Sequence, residues 1–184
     1  MAFIKYISYD DASDELKTLY EKYGGKDKIP ANIVRIAGLN PKALAAHLDI
    51  YKAIMFGKSP LSRDQREMIA VVVSAINECH YWIEHHWSAL RALGNVEDSL
   101  KKHLVTNFES ADISEIDQAI LNYAAKLTKE PASITKQDIC DFRAKHTELT
   151  DHMLHDIVQV VSYFNYVNRL ADGLGIELEE RFKK

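Results

Sequence analysis

The chain of 184 residues is short of most features that mark a special class. Two cysteines, Cys79 and Cys140, are too few for a disulfide framework, and a reducing compartment keeps isolated thiols free; sulfur would matter here only as chemistry. Seven Gly and four Pro exclude collagen-like and low-complexity sequences and favour helices. The longest apolar run, residues 68–73, is much too short to span a bilayer, and the segment MAFIKYISYDDASDE lacks the apolar stretch of a signal peptide. With 23 basic against 27 acidic residues and a formal charge of -4, no basic stripe offers itself to a polyanion. These absences lead to the expectation of a cytoplasmic protein with no membrane and no nucleic-acid partner.

What is present is an ordinary globular composition, 47% apolar and 27% charged, with no repeat and no long polar linker, so one domain over residues 1–184 is expected. The chain reads as a string of helices. Leu16, Leu19 and Tyr20 share a face between Asp11 and Tyr23, and Gly24-Gly25 ends that helix. A short helix follows Pro30, and Asn40-Pro41 opens another that ends before Gly57. Ser62-Arg63-Asp64-Gln65 has the form of a capping box and predicts a helix through Met68, Ile69, Val72 and Val73. Asn77 is a candidate N-cap for the next helix, which places Cys79 in a first turn and ends at Gly94. Ser114, Thr135 and Thr150 each open a later helix, the last closing at Gly173 and Gly175. No strand alternation is found, and the expected fold class is all-α.

The chemistry concentrates in ECHYWIEHHW, residues 78–87. Helical spacing puts Cys79, Trp82, Ile83 and His86 on one face. A thiol in a first turn feels the positive end of the helix dipole, which favours a nucleophilic thiolate; the plainer reading is a small apolar residue filling a gap. Glu67 opens an apolar run, an odd place for a charge unless it points to a cavity, although first-turn glutamates are common on exposed surfaces. A metal fits poorly: His80 and Glu84 are four apart, but His85 and His86 face about 100° apart, the spacing is not H-E-x-x-H, and no third ligand is evident. His152 and His155, beside Asp156, read as a solvated face. Tyr163, Phe164 and Tyr166 form an aromatic stripe of core, site or subunit-contact type.

The stretch SPLSRDQREMIAVVVSAINECHYWIEHHWSALRALG resembles the active-site segment of the alkylhydroperoxidase D-like (AhpD-like) branch of the carboxymuconolactone decarboxylase family, its peroxidase-related members in particular. The resemblance extends over residues 30–57 and 129–179. It implies an AhpD-like helical fold with its core at 30–179 and a homo-oligomer (dimer, trimer or hexamer). It also implies reduction of a small hydroperoxide substrate through a thiol, with an external thiol donor and no cofactor. The family's motif, a glutamate, a C-x-x-C and a histidine, falls on Glu67, Cys79 and His86 as the catalytic set; Tyr81 and His85 agree with the pattern as pocket residues. The second cysteine, the one expected to attack peroxide, is Trp82 in this chain.

A residue at 82 lies one turn from His86, a rise of about 6 Å, whereas Cys79 lies about 10 Å away along a straight helix. Nothing in the sequence brings Cys79 and Cys140 within disulfide distance. Three chemistries stay open: a single-cysteine peroxidase, a sulfur-free acid/base enzyme of the decarboxylase or lyase kind using Glu67 and His86, and a non-catalytic binding protein with Trp82 filling the former pocket.

Overall fold

The computed structural model describes residues 2–24, 30–94 and 96–182, and among them every regular element is helical. The helices are α1 (Asp14–Tyr23), α2 (Asn32–Ala37), α3 (Pro41–Phe56), α4 (Arg63–Ile76), α5 (His80–Leu93), α6 (Asp98–Thr106), α7 (Glu115–Lys129), α8 (Lys136–Lys145) and α9 (Asp151–Leu174). Single 3₁₀ turns occur at Phe108–Ser110, Pro131–Ser133 and Glu180–Phe182. The all-α expectation holds. No helix among the described residues is long and apolar enough to cross a membrane.

The chain divides into two compact units, one made of Met1–Ala53 with Leu170–Lys184 and the other of Ile54–Arg169. In the first, Ser13 caps α1 by accepting from the Leu16 amide, so the helix starts at Asp14 and not at Asp11. Its stop is Gly24; Gly25 lies outside the described residues. Buried Tyr20 donates its hydroxyl to the Ile7 carbonyl at 3.0 Å, tying α1 to the N-terminal segment, and burial raises its pKa. A side chain at Gly38 would run into Leu16 Cδ2 at 2.7 Å, so that glycine is what lets the end of α2 approach α1.

The second unit is organised around α4, whose residues from Arg66 to Ser74 are all buried. A helix hidden on every side is a core element, and each wholly buried Val or Ile in it contributes about 1.5–3 kcal/mol. The capping box is made in full: the Gln65 amide donates to Ser62 Oγ at 3.1 Å and the Ser62 amide to Gln65 Oε1 at 2.9 Å. α4 packs against α5, α6 and α7. Arg66, buried, donates to the carbonyls of Ile54, Gly57 and Leu61, satisfying the end of α3 and the following loop. Burial, and after it the charge of Arg63, lowers its pKa.

The turn between α4 and α5 departs from expectation. Asn77 closes α4 as its C-cap, and Cys79 is the N-cap of α5 and not a member of its first turn. The cause is Glu78, which takes φ 57, a left-handed conformation that reverses the chain; the Cys79 amide then donates to the Ser74 carbonyl at 2.9 Å.

Candidate functional site

Two consecutive helices bring the carboxylate and the imidazole together. Glu67, in the second turn of α4, is 0% exposed, and His86, in the second turn of α5, is 2% exposed. Glu67 Oε2 lies 2.5 Å from His86 Nδ1. A buried carboxylate is tolerated only with compensating partners, and Glu67 has a second one. Arg63, one turn earlier on α4, donates Nε to Glu67 Oε1 at 2.7 Å and brings Nη2 to the same oxygen.

Rings enclose the imidazole. Trp82 stacks over His86 with centroids 5.4 Å apart and planes at 30°, and Phe164 of α9 meets it edge-on at 4.5 Å. The indole is itself fixed: Nε1 donates to the Val167 carbonyl at 3.0 Å, and Tyr81 packs against it in a T arrangement at 5.2 Å. Trp82 and Tyr81 are both buried. Half-buried His85 sits on Tyr81 at 4.4 Å and also touches Trp82 at 5.8 Å.

Cys79 occupies a different setting. It is wholly buried, and its Sγ lies 3.9 Å from the Asn168 carbonyl, a contact made by an S–H donor and lost by a thiolate. Asn168 belongs to a network of side-chain amides: its Nδ2 donates to Ser74 Oγ at 3.1 Å, Asn77 Nδ2 donates to Asn165 Oδ1 at 3.2 Å and Asn168 Oδ1 at 3.3 Å, and Arg169 Nη1 donates to Asn165 Oδ1 at 3.1 Å at its edge. Cys79 is the N-cap of α5 with no side-chain capping bond, one position before the first turn in which it was expected and still at the N-terminal end of the helix. Cys140 is exposed and free.

Elsewhere in the chain, burial lowers the pKa of His47, while several other titratable groups form surface or half-buried pairs. Glu84 is held by Lys101 Nζ at 2.6 and 2.7 Å, with largely exposed His80 at 3.9 Å, which joins α5 to α6. His152 and His155 flank Asp156 at 3.3 and 3.2 Å. Burial would raise the Asp156 carboxyl, but the Ser59 hydroxyl and the two histidines outweigh it and hold it below its usual range. No group of three or more His, Cys, Asp or Glu among the described residues is placed to hold a metal ion. A cleft of about 540 Å³ lined by Asp64, Gln65, Met68, Leu90 and His103 has neither Glu67 nor His86 in its wall. Sequence reasoning missed Arg63 and Phe164 as neighbours of the pair; the i, i+4 spacing of Arg63 and Glu67 was the available signal for the first.

The site is thus a helical hairpin that buries a Glu–His pair, with a cysteine at the N-cap of its second helix. The profile of the Carboxymuconolactone decarboxylase family matches residues 41–125, which contain α4, α5 and the whole Glu67–His86 segment. The crystal structure of an uncharacterized peroxidase-related protein from Silicibacter sp. TM1040 is similar at 32% identity and a TM-score of 0.83, over 92% of this chain and 87% of that one. The chain belongs to the carboxymuconolactone decarboxylase family, in its AhpD-like, peroxidase-related branch. The AhpD-core peroxidase-related protein from Ralstonia eutropha JMP134 shares the fold, with a TM-score of 0.87 at 23% identity over 98% of this chain and 94% of that one. So does the debrominase Bmp8, with a TM-score of 0.77 at 19% identity over the same shares of the two chains, 98% and 94%.

Proposed function

We propose that this peroxidase-related chain is a sulfur-free acid/base enzyme in which Glu67 and His86 move a proton to or from a small organic substrate. The observation that carries this reading is the Glu67–His86 contact of 2.5 Å, buried and backed by Arg63. General acid–base catalysis needs a proton carrier oriented by a partner within hydrogen-bond reach, and an imidazole held by a carboxylate at Nδ1 meets that need through its other nitrogen. The substrate class that this reading implies is a carbon acid, a molecule with a C–H beside a carbonyl, since a base removes that proton to give an enolate without an attacking sulfur. Trp82 argues against an attacking thiol on the imidazole, because the indole stacks where a sulfur at position 82 would approach His86. The debrominase supports the view that this fold hosts more than peroxide reduction.

A second reading is a single-cysteine peroxidase, favoured by the retained Cys79 and by the peroxidase-related relative at 32% identity. In it, Cys79 attacks one peroxide oxygen and becomes a sulfenic acid, the other oxygen leaves as alcohol, and two external thiols return the cysteine with release of water and a disulfide. A homo-oligomer, which family membership favours, is compatible with either.

One set of variants separates the readings. Deuterium uptake from D₂O into a panel of β-keto acids and lactones is expected for the wild type and for Cys79→Ser, and should fall by about 10²-fold or more in Glu67→Gln and His86→Asn. Peroxide consumption with a thiol donor should be absent from the wild type and appear in Trp82→Cys. Peroxide turnover by the wild type that Cys79→Ser abolishes would replace the first reading with the second.

A further inference from the structure

The Arg63 guanidinium is engaged on every side. Nε and Nη2 meet Glu67 Oε1, Nη1 donates to the Met55 carbonyl at 2.8 Å, and the flat face lies over the Phe56 ring with its centre 3.8 Å from the ring centroid. Although its side chain keeps 24% of its surface, the group therefore has one orientation. Its three anchors come from α4 itself and from the end of α3, within the same compact unit. The two oxygens of Glu67 are thereby assigned different tasks: Oε1 belongs to Arg63 and Oε2 to His86.

We infer that Arg63 is a positioning residue, a fixed clamp that holds Glu67 as a carboxylate with Oε2 aimed at His86 and so dictates which imidazole nitrogen carries the proton. A carboxylate accepts and cannot donate, so the hydrogen in the Glu67–His86 contact belongs to His86 Nδ1, and the neutral ring keeps its lone pair on Nε2. Without the guanidinium the buried carboxylate would keep its partner at Oε2 and lose the one at Oε1. It would then be free to turn either oxygen toward the imidazole or away from it, which removes the reason for a single tautomer. The inference deepens the acid/base reading, because a base is useful only if its lone pair is on the substrate's side.

Nitrogen-15 NMR of the imidazoles at alkaline pH reads the tautomer directly, with His86 identified by its disappearance in His86→Asn. The wild type is expected to show a pyrrole-type Nδ1 and a pyridine-type Nε2; the reverse pattern overturns the inference without any variant. Arg63→Gln should average the two nitrogens toward a mixture, with Arg63→Lys recovering part of the wild-type pattern because it restores charge without the fork. A wild-type pattern in Arg63→Gln would equally overturn it. Deuterium uptake on the same samples separates the two ideas. If uptake is indifferent to Glu67→Gln and His86→Asn while Arg63→Gln still scrambles the tautomer, the clamp stands and the acid/base function falls.

Discussion

The two ends of one short segment hold their polar groups in opposite ways. At the Glu67–His86 end the groups are chargeable, the partners are side chains, and the walls are aromatic: Trp82 on one face of the imidazole and the edge-on contact with Phe164. At the Cys79 end the groups are the Ser74 hydroxyl and the amides of Asn77, Asn165 and Asn168, bonded mostly to one another, with Arg169 donating to Asn165 at the edge. A satisfied network of amides fixes geometry at little cost, whereas a buried charged pair carries a desolvation penalty that its partners must offset. The comparison teaches that the segment separates its two candidate groups: the imidazole meets a carboxylate between aromatic rings, and the sulfur meets a backbone carbonyl of α9.

The comparison breaks most severely at Trp82. Trp82→Ala removes the ring over His86 and is expected to cost about 3–5 kcal/mol, read as a lowered denaturation midpoint at fixed protein concentration. It should also disturb the His86 nitrogen signals, since the wall of the charged end is gone. At the neutral end, Asn168→Ala strips Ser74 Oγ and Asn77 Nδ2 of a partner, with a smaller expected loss of about 1–3 kcal/mol. Its His86 signals should stay as in the wild type. Movement of those signals in Asn168→Ala would show that the two ends are one coupled site. The smallest effect is expected at the corner joining them: Glu78→Gly relieves a left-handed non-glycine residue and should raise stability by about 0.5–1 kcal/mol, the αL relief less the entropy of glycine. A loss of stability there would mean that the Glu78 side chain does more than occupy a turn.

Much of this arrangement can be read from the chain alone. Ser62 and Gln65 announce the start of α4 because both halves of a capping box are local, and Gly94 announces the end of α5 because its φ of 106 suits glycine. Helix α6 went unnoticed, since DSLKKHLVT buries only Leu104 and so carries almost no apolar period. The displaced start of α5 was hidden because a glutamate at φ 57 has no sequence signature, and Asn77 is as good a C-cap as an N-cap. Glu67 and His86 are 19 positions apart, beyond any helical spacing; only the family motif joined them before coordinates did. Arg63 was in plain view four residues before Glu67, but as one charge in a capping segment it drew no notice, because its other anchors, Met55 and Phe56, are set by the path of α3.

The indole at position 82 rests its one donor on a main-chain oxygen within α9, an atom that every amino acid supplies at 167 and that the helix ladder already engages. Swapping the tryptophan for another residue therefore strands no acceptor across the gap; what goes is its volume and its ring contacts. Position 82 is in that sense a socket: its occupant can be exchanged without leaving an unmet hydrogen bond on α9.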